Sequence, residues 1–151
     1  MSKKDVDGNL ALNIDKSQHQ ESNESNIYSY QYLKEKLNIS DSLDLFTICV
    51  LIGKFVVKKR TPLNKKHPYI KHATVLKSSN FDILKALAIA EEDDIDILID
   101  TKGMYKIFEE YANSGFEELK IWYHDKHTDL QVKLSEVVST FHEENGFSNN
   151  V

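Results

Sequence analysis

Eight lysine and arginine residues fall between positions 54 and 77 with no acidic residue among them. Cations at that density attract phosphate oxygens through long-range Coulomb forces. Lys54, Lys58, Lys59, Arg60, Lys65, Lys66 and Lys71 are the candidate nucleic-acid contacts, and His67 and Tyr69 in the same stretch could stack on bases. The chain of 151 residues nevertheless carries a formal charge of −5, because the other positions hold 11 basic residues against all 24 acidic ones. That balance argues against a general nucleic-acid binder and leaves a local cationic patch on an acidic protein. The same block could instead stay solvated, or dock on the acidic residues 91–100 of this chain or of a partner.

Other spacings with chemical potential are weaker. Glu118-Leu119-Lys120 has the Glu-x-Lys form of a metal-dependent nuclease, which Asp94 or Asp100 could complete. Such a nuclease carries the motif on a strand of a mixed sheet, and the pattern here is helical. His124 and His127 are spaced to chelate a metal but lack a third suitable ligand nearby. The acidic run 91–96 lacks the glycine and the ligand alternation of a calcium loop. There is no glycine-rich phosphate loop, and Cys49, the single cysteine, lies in an apolar run where a thiol is poorly reactive. No catalytic residue, metal or cofactor is expected.

The elements that would position the basic block follow from hydrophobic periodicity. Residues 43–57 are apolar at nearly every position, and on a helix Asp44, Thr47, Lys54 and Lys58 form one narrow polar stripe. This predicts a buried central helix capped by Ser40 or Asp41 and delivering Lys54, Lys58, Lys59 and Arg60 into a loop pinned by Pro62 and Pro68. A buried strand pair bent at Gly53 is the alternative. A first helix is predicted over 28–37, a short strand near 69–76, and a helix after Ser79 as cap. Met104, Ile107, Phe108, Tyr111 and Ala112 give the clearest amphipathic helix. Ser114 to Glu117 reads as a capping box, which predicts a break or kink at Gly115. A second capping box, Thr128 to Gln131, opens a last helix ending at Asn145 and Gly146.

The fold class is therefore mainly α: a single compact helical domain of five to six helices around the central helix 43–57. The domain spans 27–145, after a disordered amino-terminal tail at 1–26 and before a frayed end at 146–151. Within the tail, Leu10, Leu12 and Ile14 alternate as a short strand would. The apolar run is too short to cross a bilayer, which takes about 20 residues. No signal peptide is visible, and a lone cysteine suits the reducing cytoplasm.

Two stretches carry a family resemblance. Arg60-Thr61-Pro62-Leu63 after a buried helix, and Glu109-Glu110-Tyr111-Ala112-Asn113-Ser114-Gly115-Phe116 ahead of another, resemble the small proteins associated with the Dnd DNA-phosphorothioation systems of bacteria. The resemblance covers about residues 28–124; where the family pattern has a second glycine after the Asn, this chain has Ser114. It implies an accessory component of a DNA-modification and phage-defence locus, with DNA and other proteins of that system as partners, and it brings no catalytic motif. The alternative is a protein-interaction or regulatory subunit that never contacts DNA, its acidic and basic blocks pairing between chains in a homo-oligomer.

Overall fold

A computed structural model of the chain describes residues 10–19 and 29–144. Helices dominate, with one two-stranded antiparallel sheet. In order they are β1 (Ala11–Asp15), α1 (Tyr30–Lys36), α2 (Ser42–Ile52), β2 (Lys66–Lys71), α3 (His72–Leu76), α4 (Asn80–Glu92), α5 (Thr101–His124) and α6 (Leu130–Glu144).

The central helix forms as its composition requires. Asp41 caps it, its carboxylate accepting the Leu43 N–H at 2.9 Å. Leu43, Leu45, Phe46, Cys49, Val50 and Ile52 are each 1% exposed or less. Thr47 does not join Asp44 on a solvent edge: it is 4% exposed, and its hydroxyl donates to the Leu43 carbonyl at 2.7 Å. A β-branched polar residue can be buried this way because its own helix satisfies the hydroxyl. Beyond Ile52 the helix continues as a π-helical turn, Gly53–Val57, which ends with Lys58 left-handed at φ 59°. The predicted helix 43–57 is thus one element with a widened last turn.

Helix α5 differs from the sequence expectation. It runs unbroken for 24 residues, and the predicted break at Gly115 is absent. A Cβ on Gly115 would overlap the carbonyl oxygen of Cys49, and one on Gly53 would overlap that of Tyr111. The two glycines therefore mark the point where α2 and α5 cross backbone to backbone, and Gly115 is selected by that close approach rather than by a helix end. Ser114 does not cap; its hydroxyl donates to the Lys59 carbonyl at 2.6 Å.

The sheet also departs from expectation. Residues 10–19 are not part of a mobile tail: β1 pairs with β2 in the register Ala11 to Lys71, Leu12 to Ile70, Asn13 to Pro68, Ile14 to His67 and Asp15 to Lys66. The alternation of Leu12 and Ile14 buries both, at 0% and 2% exposed. A bulge accommodates Tyr69, beside Pro68, which has no N–H to give the ladder. The strand predicted near 69–76 begins earlier and stops at Lys71, where the chain turns into α3. The rest of the predicted tail and the frayed end 146–151 lie outside the described residues, as do Asn145 and Gly146.

Two predicted caps are reassigned. At α4 the Ser79 side chain makes no capping bond, and Ser78 accepts the Asn80 N–H instead. At α6 Asp129 accepts the Val132 N–H, while the Thr128 hydroxyl donates back to Asp125. The core closes where Tyr30 of α1 stacks on Phe116 of α5, with ring centroids 4.3 Å apart.

Candidate nucleic-acid interface

The basic block is divided by the fold into two groups with different surroundings. Lys54, on the π-helical turn, donates to Glu91 Oε1 of α4 at 2.7 Å. Arg60 donates through Nε to Glu110 Oε1 of α5 at 2.9 Å and through Nη1 to Glu91 Oε2 at 3.4 Å. The Tyr111 hydroxyl completes the cluster on Glu91 Oε1 at 2.7 Å. All four charged side chains are less than a third exposed. Burial alone would push the Glu91 carboxyl upward, but the bonds from Lys54 and Tyr111 and the charges of Lys54 and Arg60 outweigh it and hold the group below its ordinary value. Two of the seven candidate contacts are thus neutralised within the chain, by acids 31 to 50 positions away.

The other five, Lys58, Lys59, Lys65, Lys66 and Lys71, are exposed. Among the described residues none of them forms an ion pair. Lys58 and Lys59 leave the π-helical turn, Lys65 precedes β2, and Lys66 and Lys71 bound it. The proposed stacking rings are occupied: Tyr69 packs on Tyr30 at 5.0 Å and His67 stacks on His19 at 3.8 Å.

What holds this surface in place is one stretch of α5. The Thr61 N–H donates to the Glu110 carbonyl, and Asn113 Nδ2 donates to the carbonyls of Thr61 and Pro62 at 3.1 and 3.3 Å. Ser114 fixes Lys59, as above. Gln18 donates to Asn113 and Glu117, at 2.8 and 2.9 Å, and Asp15 accepts the N–H groups of Asn64 and Lys65. Glu109, 4% exposed, accepts both the backbone and side-chain N–H of Asn13 at 2.8 Å. Burial raises its pKa, with the Asn13 bonds and the charge of Lys66 opposing. Consecutive polar residues in mid-helix are unusual on a buried face, and here each binds a separate strand or loop carbonyl or amide. The sequence reading missed these roles because the run resembled a helix terminus; the signal available was that helical phase continues through Gly115.

The remaining candidates lie elsewhere. Glu118 and Lys120 are on α5, where Glu118 accepts the Trp122 indole N–H at 2.8 Å and Lys120 pairs with Glu117 at 2.9 Å. Asp94 caps the 3₁₀ turn Ile95–Ile99 and Asp100 caps α5. His124 ends α5, and the His127 N–H donates to Asp125. Among the described residues no group of three His, Cys, Asp or Glu side chains could hold a metal ion. Cys49 is fully buried, and burial pushes its thiol up to about 12. No helix among the described residues is long and apolar enough to cross a membrane.

The two stretches that carried the family resemblance, 60–63 and 109–116, therefore meet in space, one holding the other. The family model of DNA sulphur modification system-associated protein 4 matches residues 40–149. The chain belongs to that family. The match begins later and extends further than the resemblance read from the sequence, and it takes in the whole basic block and the α5 stretch that holds it. Membership associates the chain with a DNA sulphur modification system. No curated protein and no solved structure matches it.

Proposed function

We propose that this protein is a non-enzymatic accessory component of its DNA sulphur modification system and engages DNA through Lys58, Lys59, Lys65, Lys66 and Lys71. The observation that carries the reading is that these five cations stay exposed and unpaired among the described residues, on backbone fixed by Glu110, Asn113, Ser114 and Asp15. A preformed cationic surface binds phosphates without first ordering a loop. Lys54 and Arg60 then hold the loop exit and do not themselves contact DNA.

Duplex DNA should be retarded at low salt, with an affinity that falls as a power of the salt concentration. The variant Lys58→Ala/Lys59→Ala/Lys65→Ala/Lys66→Ala should lose at least about tenfold in affinity and about four units of salt slope, at about one per lost phosphate contact. Binding unchanged in that variant would overturn the assignment.

One observation favours a second reading, a protein-interaction subunit. Ile95 and Ile99 are 66% and 86% exposed within the acidic stretch that includes Asp94, Asp96 and Asp100. Exposed aliphatics in such a setting suit a basic protein surface. Solution mass separates the readings: a strict monomer that binds DNA and takes up no protein of its system removes the second.

A further inference from the structure

Helix α5 carries two exposed lysines that the basic block does not include, Lys102 and Lys106, at its amino-terminal end. At 100° per residue, positions 102, 106, 109 and 113 share one stripe of the helix. The last two of these have known neighbours: Glu109 binds Asn13 of β1, and Asn113 binds Gln18 just beyond it. The stripe therefore runs along β1, with Lys102 and Lys106 on its amino-terminal half.

Contacts at that end bring β2 alongside. Ala11 pairs with Lys71, the His72 N–H donates to the Leu10 carbonyl at 3.3 Å, and His72 Nδ1 lies 2.6 Å from the Tyr105 hydroxyl, one residue from Lys106. Lys66, at the other end of β2, is close enough for its charge to act on Glu109. So β1 is flanked by Lys66 and Lys71 on one side and by Lys102 and Lys106 on the other. Between them β1 itself presents no free carboxylate: its Asp15 is 8% exposed and bound to Ser17, Asn64 and Lys65. On the same helix Glu109 is bound to Asn13, and Asp100 caps the helix through the Gly103 N–H.

We infer that Lys102 and Lys106 extend the proposed DNA surface across β1 onto α5, making a two-sided cationic face for the backbone of double-stranded DNA. This rests on the DNA-engaging reading above. Four residues of helix separate the two lysines by about 6 Å along the axis, so they can address separate phosphates of one strand, which rise about 3.4 Å per nucleotide. The face offers lysines and no exposed arginine fork, so it fits phosphate contacts that position a duplex without reading its sequence.

The test is fluorescence anisotropy with a labelled 20-base-pair duplex across a salt series, using the full chain and the variants Lys102→Ala/Lys106→Ala and Lys126→Ala. Lys126 is exposed in the turn beyond the other end of α5. The double variant should bind about tenfold more weakly at low salt, with a salt slope smaller by about two, and Lys126→Ala should match the parent. A slope unchanged in the double variant, while the parent binds, overturns this inference alone. An equal loss in Lys126→Ala also overturns it, since the effect would then follow net charge. A parent that binds no duplex at any salt overturns the proposed function, and this inference with it.

Discussion

Gly115→Ala should destabilise the fold by about 3 kcal/mol, at the upper end of what overpacking costs. The added methyl would meet the backbone carbonyl of Cys49, which belongs to a helix buried on nearly all sides and has no rotamer to escape into. Relief requires α2 and α5 to separate, and that loosens the contacts of Phe108, Ala112, Phe116 and Leu119 together. The intrinsic gain from replacing a mid-helix glycine, about 1 kcal/mol, opposes this and is the smaller term. Gly103→Ala is the control: the nearest atoms its methyl would meet belong to the Asp100 side chain, which can swing away at the loss of a cap, about 1 kcal/mol. Urea midpoints at constant slope measure both. A Gly115→Ala protein as stable as the parent would mean that the helices do not cross there.

The second large effect is expected at Glu91. Glu91→Gln removes the charge that faces both Lys54 and Arg60 and leaves one acceptor where three donors converge. Losing one member of a buried charge pair costs about 3 to 5 kcal/mol; with these side chains 17% to 28% exposed, about 2 kcal/mol is the reasonable size here. The sign with pH follows from the lowered pKa of Glu91. Its contribution is fully present above the unfolded carboxyl value, about 4.5, and is lost as pH falls through the lower folded value. The parent's advantage over Glu91→Gln should therefore be full at pH 7 and shrink as pH falls below the unfolded carboxyl value. Asp15, also lowered, acts in the same direction, whereas Glu109, raised by burial, stabilises as pH falls. Because both proteins share these groups, the difference isolates Glu91. An advantage undiminished at low pH would show that charge is not its origin.

These residues also show how far the sequence could be read. The central helix and the first half of α5 were legible because helical periodicity is local. The mainly α class followed from them. Residues 11–15 offered only an alternation, since what makes them a strand is a partner 51 to 60 positions away. Gly115 misled because a serine, a glycine and a glutamate spaced as a capping box look the same whether a helix starts there or another helix crosses there. Charge density found the basic block, yet it could not separate Lys54 and Arg60 from the exposed lysines, since their acids come from α4 and α5. Lys102 and Lys106 went unremarked because α5 read as a core helix, and only the placement of β1 shows where its outer stripe leads.

The pairing of β1 bears on what counts as the unit of this protein. The family match starts at residue 40, but Leu12, Ile14, Tyr30 and Leu33, each 2% exposed or less, come before it. The packed unit thus extends beyond the residues that the family model matches. Cut at the family boundary, the chain would strip Phe116 of its stacking ring and leave the Glu109 carboxylate with no donor from Asn13.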